Sequence, residues 1–193
     1  MSEPMTVLTD YLLGAITAYL GWRLFRERGA ERSRRWWSRE FIALALGAFL
    51  GGTWHGFAQN EWLWKATLLT VGVASAAMMI ATAFATLPAR QRSMLIGAAV
   101  AMLLVYAGWV MVEDRFIVVV IDTAIAFAMV AGLHVWQWNG AIVAGVGVSL
   151  LAALVQASGF ALHAHFNHND LYHVIQIGAM FLFYRGARSL KDA

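Results

Sequence analysis

A thirteen-residue stretch near the C-terminus, LHAHFNHNDLYHV from Leu162 to Val174, contains four of the six histidines of the chain. It also holds Asp170 and two asparagines, within a sequence that is otherwise strongly apolar. Imidazole and carboxylate groups bind first-row metals and transfer protons near neutral pH. Because the chain has no cysteine, a tightly bound metal has to rely on these two kinds of ligand. The stretch is therefore the first candidate for chemistry.

The position of the helix start decides which of these histidines can meet. Asn169 or Asp170 is predicted to cap the helix that follows, because a short side-chain acceptor there satisfies free amides of the first turn. His173 then falls in the first turn and His168 just before the cap, so that both rings can reach one point. The predicted pair is His168 with His173. In place of His168 the stretch also offers Asp170, His163 and His165.

The elements that position these residues are predicted from composition and hydrophobic runs. The chain is 61% hydrophobic and 13% charged, outside the range of soluble domains, which indicates an integral membrane protein. The acidic start MSEPMTVLTD favours a true first span over a removable signal peptide. The predicted fold is all-α, a single seven-transmembrane helix bundle over residues 1–193. Because a span needs roughly 20 apolar residues, the predicted spans are about 6–25, 40–59, 62–87, 93–112, 116–136, 141–163 and 170–187.

The distribution of positive charge predicts the orientation in the membrane. Lys65 and Arg115 fall on one side of the predicted bundle. The other twelve of the fourteen cations fall on the opposite side, and they are Arg23, Arg26, Arg28, Arg32, Arg34, Arg35, Arg39, Arg90, Arg92, Arg185, Arg188 and Lys191. The positive-inside rule then gives an external N-terminus and an internal C-terminus, in a bacterial inner (plasma) membrane. These arginines are interpreted as anchors at anionic headgroups, and nucleic acid is not an expected partner.

This orientation places several polar residues in one layer near the outer face. Asp10 and His55 lie about 6 Å inside the outer ends of their spans, and Asp122 lies on the order of 10 Å inside. Ionisable groups within spans usually face a partner or a cavity. Asp10, Asp122 and Asp170 are therefore the candidate carboxylates for proton transfer. Lys65 near the outer start of span three is either part of this layer or an interfacial residue.

A third imidazole is expected from span two. His55 lies in GGTWHGF at a depth matching the stretch, and Gly51 and Gly52 allow close helix approach beside it. Three nitrogen ligands with an open fourth position are typical of a catalytic zinc site, so His55, His168 and His173 are the predicted zinc ligands. The alternative is a histidine-rich outer loop that only hydrogen-bonds to headgroups and water.

These features resemble the membrane hydrolase superfamily that contains the alkaline ceramidases and the progestin and adiponectin receptors. Its members hold zinc with one histidine from span two and two from an H-x-x-x-H motif on span seven. A serine four residues before the first histidine and an aspartate on span three complete the family's site. The resemblance matches His55 to the first ligand and His173 to the last. It differs at Asn169 and Gly51, each four residues before one of these histidines, and at Ala66, where the family has the aspartate.

The resemblance implies a zinc-dependent lipid amidase or related hydrolase, with a membrane lipid as substrate. In it a carboxylate moves the proton, supplied here by Asp10, Asp122 or Asp170. The alternative is a non-catalytic receptor or sensor that keeps the fold and binds a lipid without cleaving it. The basis for this alternative is that the chain lacks the family's serine and its aspartate on span three. A further alternative is a haem protein with imidazoles from two spans as axial ligands.

Overall fold

The computed structural model describes residues 3–27, 31–163 and 165–193. Across these residues the regular structure is helical, apart from an isolated bridge between His163 and Phe166. The helices are α1 (Pro4–Arg26), α2 (Arg32–Gly56), α3 (Glu61–Thr86), α4 (Ala89–Val112), α5 (Ile117–Trp136), α6 (Gly140–Ser158) and α7 (His168–Arg188). The prediction of an all-helical fold is confirmed.

Four helices in the described residues, α3 to α6, are long and apolar enough to cross a membrane, which indicates a membrane protein. The other three, α1, α2 and α7, are each longer than α6 but carry more polar residues. Those residues include Asp10, Glu40 and His173, all of which are buried. The less apolar helices thus bring several ionisable groups into the interior, in addition to the buried Lys65, Asp122 and His134 on α3 and α5.

Two of the predicted span boundaries differ from the helix bounds, each for a local reason. The second span is predicted to begin at about residue 40, whereas α2 already begins at Arg32. Asp192 at the C-terminus accepts hydrogen bonds from the free amides of Arg32 and Ser33, at 3.0 and 2.9 Å, and so caps α2. In α6, the left-handed Gly159 (φ 68°) ends the helix at Ser158, five residues earlier than predicted.

The order of helix contacts brings the first and last helices together. α1 packs against both α2 and α7, α6 packs against α7, and the largely buried α3 contacts α2, α4 and α5. The outer ends of α1, α2 and α7 in the predicted orientation therefore share one side of the bundle. This is the region where the sequence places Asp10, His55 and His173.

The described cations of the predicted inner side do lie at one end of the bundle. Arg34 donates to the Leu190 carbonyl at 2.9 Å, and Arg188 pairs with Glu27 at 2.7 Å, so that contacts tie the ends of α1, α2 and α7 together. Lys65 lies at the opposite end of α3, where it pairs with Glu61 and donates to the Met111 carbonyl at 3.1 Å. Arg28 lies outside the described residues.

Close contact between α1 and α2 depends on glycine. A Cβ atom at Gly52 would lie 2.9 Å from the Cβ of Asp10 and 2.8 Å from the ring of Tyr11. One turn further along α2, a Cβ atom at Gly56 would lie 2.5 Å from Val7. The expected close approach beside His55 is therefore present, and it sets Asp10 directly against α2.

Gly52→Ala should destabilise the protein by about 1–3 kcal/mol, because the added methyl group overpacks the contact with Asp10. Gly97→Ala is the matched control, since a Cβ atom there meets nothing within 4 Å. Alanine at an open helical position should instead add about 0.5–1 kcal/mol of stability. Thermal unfolding in detergent, followed by circular dichroism, measures both. Equal melting temperatures for the two variants would contradict the close packing of α1 on α2.

Candidate metal centre

A capping box fixes the start of α7. The side chain of Asn167 accepts hydrogen bonds from the amides of Asn169 and Asp170, at 2.8 and 3.3 Å. Asp170 Oδ2 in turn accepts from the amide of Asn167 at 2.7 Å. The predicted cap at Asn169 or Asp170 is wrong, because N-x-x-D at 167–170 forms this reciprocal pair and starts the helix earlier. Asp170 is the third helical residue and is 1% exposed.

This boundary changes the geometry of the histidine-rich stretch. His168 is the first residue of α7 and not a flexible residue before it. Five residues apart on a helix, His168 and His173 point in directions about 140° apart. His163 and His165 are exposed and contact each other, with ring centroids 5.4 Å apart. The four histidines of the stretch therefore do not meet at one point.

His173 instead contacts two neighbouring residues of α1. Its Nε2 atom lies 3.0 Å from Asp10 Oδ1, and its Nδ1 atom lies 2.9 Å from Thr9 Oγ1. The His173 and Asp10 side chains are only 8% and 6% exposed. Adjacent residues of α1 thus hold both nitrogens of one buried imidazole on α7.

The hydrogen bonds of Thr9 determine which nitrogen of His173 carries a proton. The Thr9 hydroxyl donates to Asp170 Oδ1 at 3.2 Å, and the Thr6 carbonyl oxygen lies 3.1 Å away as another acceptor. When the hydroxyl proton is used in this way, His173 Nδ1 has to donate to Thr9. His173 Nε2 then faces Asp10 Oδ1, so that either a proton or a metal ion has to lie between the two atoms. The proton can belong to the ring or to the Asp10 carboxyl group.

The second imidazole, His55 on α2, lies in the same group of side chains. Its Nδ1 atom is 3.1 Å from Glu3 Oε2, and the Glu3 side chain is 39% exposed. His55 is close enough to His173 and Asp170 for their charges to interact, and Glu3 is likewise close to Asp10. We name these five ionisable residues, Glu3, Asp10, His55, Asp170 and His173, the α1–α2–α7 cluster.

The remaining predicted carboxylate lies elsewhere. Asp122 on α5 is 5% exposed, and Ser75 of α3 hydrogen-bonds to its carboxylate. The described residues show no contact between Asp122 and either His55 or His173. The position of Asp122 therefore does not support its predicted role as a proton-transfer group for His55 and His173.

The chemistry of the cluster fits zinc, although the arrangement is incomplete. Two imidazoles and a carboxylate are a common donor set for catalytic zinc. The 3.0 Å between His173 Nε2 and Asp10 Oδ1 is close to the separation of about 3.3 Å expected between two ligand atoms of a tetrahedral site. Asp10 Oδ2 is buried without a hydrogen-bond partner among the described residues. Within that part of the chain, however, no three His, Asp or Glu side chains are arranged to hold a metal, so a metal has to draw in a third donor.

Sequence reasoning missed Thr9 and Glu3. Thr9 precedes Asp10 and is buried, yet a threonine in an apolar helix gives no periodic signal of its partner on α7. Glu3 lies before the first apolar run, where a carboxylate is expected to be solvated. The contact of Thr9 with His173, about 160 residues away on α7, and the pairing of Glu3 with His55 on α2 reveal their roles.

Thr9→Val should lower the free energy of unfolding by about 1–3 kcal/mol, because it leaves His173 Nδ1 and Asp170 Oδ1 buried without their partner. Thr17→Val is the matched control on the same helix. Its hydroxyl is also buried but has no hydrogen-bond partner among the described residues. Chemical or thermal unfolding in detergent compares the two, and an equal or larger loss for Thr17→Val would contradict the hydrogen-bonded role of Thr9.

Comparison with known proteins gives a family but no activity. Residues 5–192 match a family described as a family of unknown function, DUF6962. No curated protein and no solved structure matches the chain significantly. Because the match spans almost the whole sequence, the chain belongs to the DUF6962 family.

Proposed function

We propose that the chain is a zinc-dependent membrane hydrolase that cleaves an amide or ester bond of a lipid. The observation that carries this proposal is the orientation of the buried His173 ring. Its Nδ1 atom is taken up by Thr9, and its Nε2 atom faces Asp10 Oδ1 at 3.0 Å. Metal-ligating histidines usually donate their other ring N–H to a fixed acceptor in this way.

The proposed donors are His173 Nε2, His55 Nε2 and the carboxylate of Asp10. Asp10 takes the place of His168, because α7 turns His168 away from His173. Three protein donors from α1, α2 and α7 leave one position for substrate or water, the pattern of catalytic sites. A bound zinc ion supplies Lewis-acid activation of a water molecule and of the substrate carbonyl.

The surrounding side chains orient the donors. Thr9 accepts from His173 Nδ1 and donates to Asp170, which fixes the ring and its tautomer. Glu3 Oε2 lies 3.1 Å from His55 Nδ1 and pairs with that imidazole. Both oxygens of Asp170 are occupied, by Thr9 and by the Asn167 amide, so Asp170 positions the others. Glu3 reaches solvent and is the carboxylate best placed to exchange a proton with water.

The proposed topology puts this cluster near the outer face of a bacterial plasma membrane. In this topology all seven helices cross the membrane, with the N-terminus outside and the C-terminus inside. The distribution of positive charge between the two ends of the bundle supports this topology. Lys65 and Arg115 lie at the end opposite the arginine-rich ends of α1, α2, α4 and α7. A lipid substrate then enters from the outer leaflet, whose carbonyl groups lie at the depth of the cluster.

A cysteine at Ser158 should react with a membrane-impermeant maleimide in intact cells, whereas one at Gln91 should react only after permeabilisation. Both positions are exposed, and they lie at opposite ends of the bundle. The natural absence of cysteine makes each label specific. Ser33 is unsuitable as a probe, since it is fully buried. The reverse labelling pattern would overturn the orientation and the outward position of the cluster.

Purified protein should contain about one zinc ion per chain, and His173→Ala, His55→Ala and Asp10→Ala should each lose it. His165→Ala is the control, because this histidine is exposed and lies outside the cluster. Thr9→Val should weaken zinc binding about 10–100-fold through the misoriented ring. Elemental analysis gives the metal content, and hydrolysis of long-chain lipid amides and esters gives the activity.

The outcomes separate the competing functions. Full zinc content in both His173→Ala and Asp10→Ala would overturn the ligand set. Wild-type protein that binds zinc but cleaves no lipid amide or ester would favour the receptor reading. A strong Soret band in the absorption spectrum would indicate that the histidines bind haem and not zinc. With zinc bound, Glu3→Gln should keep the metal and lower the rate about 10²–10⁴-fold.

A further inference from the structure

A cavity of about 150 Å³ lies among α2, α3, α5, α6 and α7. Its walls are mainly apolar and include Leu44, Met78, Phe127 and Phe183. An engineered protein cavity of about this volume is large enough to hold benzene. The space therefore suits a ligand with a small apolar body.

The cavity also carries a carboxylate that the fold does not use. Glu40 of α2 lines it, is 5% exposed, and has an Oε2 atom without a hydrogen-bond partner among the described residues. The hydroxyls of Thr123 on α5 and Ser149 on α6 line the same space and are likewise unpartnered there. None of the described residues that line the cavity is a lysine, arginine or histidine.

The Glu40 side chain is enclosed by the bundle and does not extend to the solvent-exposed end of α2. It lies one turn beyond Trp37, which is fully buried and stacks on Phe183 at 5.4 Å. Arg39, the preceding residue, lies over the ring of Trp36 at 4.3 Å and forms no ion pair with Glu40 among the described residues. An unpaired carboxylate in such a place is costly, and ionisable groups in membrane bundles usually serve a partner or a pathway.

We propose that this cavity binds a small hydrophobic primary amine, whose nitrogen pairs with Glu40 and whose apolar body fills the space beside Phe127. The pair has no net charge, whether the proton resides on nitrogen or on oxygen, so the apolar walls do not have to accommodate an unpaired ion. The hydroxyls of Ser149 and Thr123 accept the remaining N–H groups. A hydrophobic acid would set two carboxyl groups against each other, and an alcohol lacks the charge. The cavity lining includes none of the five residues of the α1–α2–α7 cluster, although Tyr172 in its wall contacts His173 with ring centroids 5.3 Å apart.

The test compares benzylamine with benzyl alcohol, two probes of the same size, on the purified full-length protein in detergent at neutral pH. Isothermal titration calorimetry should show saturable binding of benzylamine at least tenfold tighter than that of benzyl alcohol. Glu40→Gln should remove this preference, since the amide keeps the shape but not the charge-assisted hydrogen bond. The variant should fold, because it replaces an unpaired acid by a neutral group.

Two further variants locate the site. Glu113→Gln should leave benzylamine binding unchanged, because Glu113 lies in the turn after α4, where hydrogen bonds from the Arg115 side chain lower its pKa and keep it charged. Ala153→Phe should abolish binding of both probes by filling the cavity that Ala153 lines. Equal affinity for the two probes, an unchanged preference in Glu40→Gln, or no saturable benzylamine binding would each overturn the proposal.

Discussion

The buried contact between His173 and Asp10 is the constraint on which the rest of the arrangement depends. It joins the first helix to the last, and it needs Gly52 to let α1 approach α2 and the capping box at Asn167 to orient the start of α7. Removing two charged groups from water commonly costs more than their attraction returns, so a buried pair of this kind is weak evidence for stability. We propose a chemical explanation, in which the same atoms form part of the donor set for zinc.

The bundle divides its work between two kinds of helix. The four most apolar helices, α3 to α6, provide the hydrophobic body, while α1, α2 and α7 carry the cluster. Glu40 on α2 is a further buried ionisable group, and it faces a cavity instead of an ion-pair partner. Because ionisable groups in an apolar interior usually have a partner or a ligand, the groups that the fold leaves incomplete are the positions where we propose that ligands bind.

The helical class was predictable from the sequence, and the depth argument singled out Asp10, His55 and His173 as members of one layer. The details that failed were local or long-range. The four residues 167–170 contain three side chains that can cap a helix, those of Asn167, Asn169 and Asp170. Asn167 is the cap because it forms a reciprocal pair of hydrogen bonds with Asp170. The helix therefore includes His168, and its ring points away from His173. Thr9 and Glu3 were missed because their partners lie on distant helices. Glu40 was missed because its position beside Arg39 resembles the end of a charged loop.

The central claim is that α1, α2 and α7 together hold a zinc ion. Zinc K-edge X-ray absorption on the purified wild-type protein tests it most directly, because the chain has no cysteine and a sulfur shell can only be adventitious. The spectrum should show two imidazole nitrogens and carboxylate or water oxygens at about 2.0–2.1 Å from the zinc ion. This signal should disappear in His173→Ala. A spectrum without imidazole scattering, or one that is identical in wild type and His173→Ala, would contradict it.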